Sequence, residues 1–551
     1  MGEYQQVCQS FCWEDVEKEF TWSQTGKVNI AYEAIDRHAE DPVHGQRYCL
    51  TFEAGHMKER ITYDQMRDLS GRFANVLKKL GVTKGDRISL FLPRCPESYI
   101  SMLGCAKVGA VFVPLFEALM QEALRERLGD CGASVLVTTP KLAARVPFSD
   151  LPDLRYVVLV GAGNIMLEWN EVSWEAEMVH APSPCDIEWV DLEDPLYILY
   201  TYSPSGHPKG VVHVHNDMIG HLMTARWVLD LREGDVLWTT ADLGWVTGTV
   251  YGVFAPWLCG VESFVRAGRF DMEGWCRSIE SNRVSVWYTA PTVFRRFMAK
   301  GEEIVKRHDL SSIRHLLSVG EPLPSEVVYW ARRVFKVPVH DTWWMTETGM
   351  IVIANYPSMP IKPGSIGKPF PGIEAAVIGP EGEELPPFTL GELAIKRGWP
   401  AMMREIWRDE NRFKEYFPLD PWFFSGDTAY VDDDGYFYYQ GRVDNLAKIA
   451  GVVVGPSEME DVLRRHPAVM DAGIIAKPDP LKGNSIKAFI SLKPEVTPSD
   501  DLKQELVAFV KRYFSPRIAP REIEFRPRIP RSKDGSVIRR VLKAWELGLP
   551  A

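Results

Sequence analysis

The stretch TYSPSGHPKGVVH, Thr201 to His213, is built like a loop that wraps phosphates. Such loops work through small residues, hydroxyls and backbone N–H groups. Ser205, Gly206, Lys209 and Gly210 supply those parts. Tyr202 and Ser203 add bulk instead, and Pro204 offers neither an N–H nor a hydroxyl. Four further stretches carry chemistry-bearing groups: ADLGWVTGTVYG (241–252), SVGEPL (318–323), DTWWMTETG (341–349) and FFSGDTAYVDDDGYFYYQGRVDNLAKIAG (423–451). Each alone has an ordinary explanation. An Asp after Gly is usually a turn, Glu-Pro is usually a loop, and most of 18 tryptophans are core.

The elements that must position these residues follow from hydrophobic periodicity. Arg87–Pro93, Val111–Leu115, Ser134–Thr139 and Leu154–Gly161 read as strands, and Glu97–Ala110 has helical spacing. Ser285–Pro291 and His315–Leu323 read as strands running into loops, which matters because open α/β sheets bind ligands at the carboxyl ends of their strands. Past about residue 375 the chain turns β-rich, and DDDG (432–435) marks a hairpin between two strand-like runs. From about Asn445 a compact βαβ-type module follows, with helices over 456–466 and from Asp500, the latter capped near Ser499. The expected class is α/β. A large N-terminal domain of layered α/β subdomains plus a β-rich subdomain (1–444) precedes a small mobile α+β C-terminal domain (445–551).

A chain of 551 residues exceeds one hydrophobic core, so two or more domains are expected. The net charge of −11 argues against nonspecific nucleic-acid binding but leaves room for a small anion held by placed cations. Nine cysteines without a CxxC pair fit a reducing compartment. No basic region precedes an apolar run at the N-terminus, and no stretch approaches the roughly 20 apolar residues of a membrane helix. A cytoplasmic protein without membrane or nucleic-acid partners is expected.

In order and spacing, the five stretches together resemble the acyl-adenylate-forming superfamily of acyl-CoA synthetases, luciferases and peptide-synthetase adenylation domains. The likeness is greatest to AMP-forming acetyl-CoA synthetases and spans nearly the whole chain. It implies a two-step reaction. A carboxylate attacks the α-phosphate of ATP to give acyl-AMP and pyrophosphate, and the thiol of CoA then displaces AMP. The implied partners are a small carboxylic acid, the nucleotide, CoA and Mg²⁺; a homo-oligomer or partner subunit stays open.

Residue by residue, the resemblance gives Gly320, Glu321 and Pro322 to adenine. It gives Asp341, Thr342, Trp343, Met345 and Thr346 to the purine and α-phosphate, and Asp427 and Arg442 to the ribose. Ser205, Gly206 and Lys209 match the phosphate loop, Thr346 and Glu347 the catalytic segment, and Glu347 the carboxylate associated with Mg²⁺. Trp344 matches the tryptophan that shortens the acyl pocket, with Trp245, Val246 and Thr247 on the opposite wall; an indole there favours acetate-like acids. Asp444 matches the hinge.

Three positions depart from the family pattern. The loop S-G-T-T-G-K-P-K-G is altered at Tyr202 and Pro204. Val453 occupies the place of an arginine that reaches the outer phosphates, with Val452 and Ala450 also changed nearby. Ser536, in PRSKDGSVIRR, stands where the adenylation lysine is expected, with Lys533 three residues earlier as the alternative cation. A neutral hydroxyl does not replace a cation beside developing negative charge. The reading is therefore a short-chain AMP-forming acid–CoA ligase. The alternative is a degenerate paralogue that binds AMP or acyl-AMP or performs only the thioester half-reaction.

Overall fold

A computed structural model describes residues 2–168, 170–201, 208–442, 447–449, 452–454, 456–480, 483–514, 516, 518–531 and 537–548. Two large sheets organise the first four hundred residues. One has eight strands, in the order Glu405–Ile406, Lys209–Val214, Pro195–Thr201, Val111–Pro114, Arg87–Phe91, Val135–Thr138, Tyr156–Leu159 and Glu171–Ser173. It is parallel from Pro195–Thr201 onward and antiparallel at the Lys209–Val214 edge. The other has nine strands with a parallel centre: Val339–Trp343, His315–Ser318, Val286–Thr289, Val236–Thr239, Glu262–Arg266 and Tyr48–Ala54. Apolar runs such as Val286–Thr289 and Val111–Pro114 are buried along their whole length, as parallel strands covered on both faces require.

Helices cover these sheets. Thr62 and Gln65 form a reciprocal capping box that starts the helix Tyr63–Lys79, and Tyr63, Met66, Phe73 and Leu77 line its buried face. It packs on the helix Pro96–Lys107 at Gly104, where a Cβ would fall 2.6 Å from Phe73 Cδ1. One apolar core is shared between the sheets, with Leu199 and Val211 from one and Leu237, Tyr288 and Trp343 from the other.

The β-rich region is a four-stranded antiparallel sheet ordered Ala375–Ile378, Gly391–Lys396, Trp422–Val431 and Phe437–Arg442. The expected hairpin joins its last two strands. Asp432 Oδ1 accepts from the Asp434 and Tyr436 N–H groups, and Gly435 takes φ +80°, a conformation that suits glycine.

Toward the C-terminus, Val469–Asp479 and Gly483–Leu492 form an antiparallel pair. The helix Asp500–Tyr513 then crosses to Glu522–Phe525, which runs parallel to Gly483–Leu492, so the expected βαβ unit carries one added antiparallel strand. Ser499 caps that helix by accepting from the Leu502 N–H at 3.1 Å, and Leu502, Leu506 and Val510 bury one face at four-residue spacing.

Candidate active site

Four parallel strands of the nine-stranded sheet end on one side of it and deliver most of the residues singled out above. Val236–Thr239 leads to Trp245, Val286–Thr289 to Thr292 and Arg295, His315–Ser318 to Gly320 and Glu321, and Val339–Trp343 to Trp344, Thr346 and Glu347. Ligands of open α/β sheets bind at such strand ends. Lys209 arrives from the edge of the eight-stranded sheet and Asp427 from the β-rich sheet.

Beside the turn that follows Val339–Trp343, Lys209 Nζ lies 2.7 Å from Glu347 Oε1, and their side chains are only 8% and 4% exposed. Tyr416 completes this pair. Its hydroxyl donates to Glu347 Oε1 at 2.9 Å and also contacts the Lys209 ammonium, which stands 4.6 Å from the centre of its ring. The ring itself stacks on Phe423 at 2°. His213 fixes the neighbouring backbone: one imidazole nitrogen meets the Thr346 carbonyl at 2.7 Å, and the other meets Asp217 Oδ2 at 2.6 Å. The Glu347 carbonyl accepts from the Met403 N–H at 3.0 Å. Metal-type chemistry has one carboxylate to work with here. Among the described residues no group of three or more His, Cys, Asp or Glu side chains could hold a metal ion.

Further along the sheet, the Trp343 indole N–H donates to Asp427 Oδ2 at 2.8 Å, joining residues 84 positions apart. Asp427 is buried, and its strand pairing sets Arg442 directly opposite in register. Asp341 accepts from Ser318 Oγ at 2.5 Å and from the Thr342 N–H at 3.1 Å. Thr342 Oγ1 donates to the Ser318 carbonyl at 2.7 Å. These two residues thus tie adjacent strands together. Gly320, at φ +84°, turns the chain so that Glu321 enters the interior, where Thr292 and Arg295 donate to it. Burial pushes the Glu321 carboxyl up from its ordinary range against the pull of Arg295. Pro322 is exposed.

Trp344 is buried and held on two sides. Its N–H donates to Tyr288 Oη at 3.0 Å, and its ring meets Tyr251 edge-on at 5.0 Å between centroids. Tyr251 is anchored in turn by Thr224 and by the Ile351 N–H. A wall fixed in this way has little freedom to swing aside. Val246 packs against the same core, whereas Trp245 is half-buried beside Phe116 and reaches the apolar core of the C-terminal region. Thr247 is buried in the short helix Val246–Thr249. That helix lies so close to the preceding loop that a Cβ on Gly248 would sit 2.1 Å from the Asp242 carbonyl oxygen.

Met345 precedes the turn Thr346–Thr348, and its N–H is bound by Thr348 Oγ1 at 3.0 Å. Tyr202, Ser203, Pro204, Ser205, Gly206, Asp444, Ala450, Lys533 and Ser536 lie outside the described residues. Val452 and Val453 belong to the strand Val452–Val454. The structure adds Tyr416, His213 and Tyr288 to the residues expected from sequence. A signal existed for His213: it follows Lys209 by four along one strand, so both side chains share a face.

Similar proteins give this geometry its context. The AMP-binding enzyme family matches residues 36–407, and its C-terminal domain family matches 458–536. An acetyl-coenzyme A synthetase of Bacillus subtilis is 49% identical over 549 residues, covering 100% of this chain and 96% of that protein. One from Methanothrix soehngenii is 36% identical, covering 96% of this chain and 84% of its own. The crystal structure of a Brucella canis acyl-CoA synthetase superposes with a TM-score of 0.75 at 28% identity, covering 100% of this chain and 99% of that one. Both family matches fall on the two regions built above, in order and across nearly the full length: the chain belongs to the AMP-binding enzyme family.

Proposed function

We propose that this protein is an AMP-forming acid–CoA ligase that activates acetate or a similarly compact carboxylate at the expense of ATP. The observation that carries this reading is 49% identity, sustained over the whole chain, to a protein named acetyl-coenzyme A synthetase. The fixed Trp344 wall supports the small acid. One methylene more in such a pocket is discriminated by about 10–200-fold.

Asp427, oriented by the Trp343 N–H, accepts hydrogen bonds from the ribose, and the strands ending at Gly320 and Asp341 flank the base. Lys209 places positive charge where pyrophosphate leaves, so that charge developing in the transition state meets a preorganised cation. Mg²⁺ fits this donor set, because that ion takes one or two carboxylates and fills its shell with phosphate oxygens and water. Glu347 is the residue that would hold it. Bound there with ATP, the ion would neutralise phosphate charge. Lys209 and Glu347 neutralise each other in the absence of ligand, which keeps both ready in a buried place. Cytoplasmic location belongs to the same reading; among the described residues no helix is long and apolar enough to cross a membrane.

Two assays test the reading together: acetate-dependent ATP–pyrophosphate exchange, and CoA-dependent formation of acetyl-CoA from acetate and ATP. Both are expected, with acetate or propionate preferred over longer acids. Absence of exchange with every acid in a panel, beside AMP-dependent cleavage of acetyl-CoA, would overturn the full ligase and leave the thioester half-reaction.

A further inference from the structure

We propose that Tyr416 is a positioning residue for the outer phosphates of ATP, acting through Lys209 and Glu347. This rests on the ligase reading and deepens it. Tyr416 follows the short helix Glu410–Lys414 and sits 207 residues from Lys209 and 69 from Glu347, yet one hydroxyl meets both. Its ring is immobilised by the parallel stack on Phe423, and Phe423 belongs to the strand that carries Asp427. The hydroxyl therefore has a fixed position relative to both the ribose carboxylate and the phosphate cation.

The sequence explains why such a group is needed here. Pro204 removes an N–H and a hydroxyl from the phosphate loop, and Val453 stands where a second cation is expected. Lys209 is left with more of the phosphate charge to hold, and a lysine is a flexible point charge on a four-carbon stem. A hydroxyl donating to Glu347 and accepting from Lys209 holds the stem in one rotamer. It also gives the carboxylate a second partner when the ammonium turns to phosphate. Tyr416 thus acts through Lys209 and Glu347, the two groups its hydroxyl meets.

Tyr416→Phe tests this, since it removes the hydroxyl and keeps the stack on Phe423 and the ring beside Lys209. Loss of one charge-assisted hydrogen bond is worth about tenfold or more. Calorimetry without divalent metal is expected to show ATP binding weakened about tenfold while AMP, which lacks the outer phosphates, binds within about twofold of wild type. Exchange should fall by a similar factor, and acetyl transfer from preformed acetyl-AMP to CoA should change by less than about twofold. Equal weakening of ATP and AMP, or no change in either, would overturn the positioning role. Exchange by the wild-type protein is the separate measure of the ligase reading, so the two can fail independently.

Discussion

Lys209 and Glu347 oppose each other where water scarcely reaches, with 8% and 4% of their side chains exposed. An exposed ion pair of this kind contributes about 0–1 kcal/mol. Removing one partner of a buried pair costs about 3–5 kcal/mol, because the other charge stays behind without its counter-ion. Lys209→Met is therefore expected to lower the urea midpoint of the domain that holds the pair. Adding Glu347→Gln should restore much of the loss, since a neutral amide still accepts from the Tyr416 hydroxyl. A double variant less stable than Lys209→Met alone would show that the pair is not what stabilises this corner. Neither variant should support exchange at the wild-type rate, so stability and catalysis separate in this cycle. His213 sits behind the same pair and, braced by Asp217, meets the Thr346 carbonyl, so it holds the backbone beside Glu347.

The element that carries Thr346 and Glu347 is one 3-10 turn, Thr346–Thr348, closed by Gly349 at φ +66°. A Cβ on Gly349 would stand 2.0 Å from the Ala401 carbonyl oxygen and 2.7 Å from His213 Cε1. Gly349→Ala must therefore shift the turn or His213, and displacement by an ångström costs about 10²-fold in such sites. Exchange should fall by at least about tenfold while the far-ultraviolet circular dichroism stays that of the wild type; unchanged exchange would mean that the turn does not position Glu347. Elements of this kind were only partly legible in the sequence. The strands ending at Thr289 and Ser318 were readable because parallel strands buried on both faces are short apolar runs, whereas Val339–Trp343, with His340, Asp341 and Thr342 in it, gave no such run. The DDDG hairpin and the Ser499 cap were readable because turn and cap chemistry is local. The Trp343–Asp427 hydrogen bond and the Tyr416 contacts were not, since they join elements 69 to 207 residues apart and no spacing rule records a tertiary contact. Asp341 and Thr342, whose residue types suit a ligand, also fasten one strand to the next, a tertiary role that residue type alone does not announce.

At the scale of the whole molecule, the expected site residues divide unevenly between the two regions of the chain. Lys209, Glu347, Trp344 and Asp427 all belong to the first region, and the small C-terminal region meets it through Arg465, 3.0 Å from Glu122, and through the half-buried Trp245. That surface ion pair is half exposed on its arginine side and adds little to holding the two regions together. By the family resemblance a lysine of the C-terminal region faces the α-phosphate during adenylation, and at the matching position in the sequence this chain has Ser536. A cation aimed at developing negative charge is worth about 10²–10³ in rate, and a hydroxyl recovers only part of that. Ser536→Lys is expected to raise acetate-dependent exchange by at least about tenfold and to leave acetyl transfer from acetyl-AMP to CoA unchanged, because that step begins after pyrophosphate has gone. Val453→Arg added to it should lower the ATP concentration needed for half-maximal exchange, since the family resemblance puts a cation for the outer phosphates at that position. A Ser536→Lys protein no faster than wild type, together with loss of exchange in Lys533→Ala, would instead assign the adenylation cation to Lys533 and show that the register of PRSKDGSVIRR is shifted by three residues.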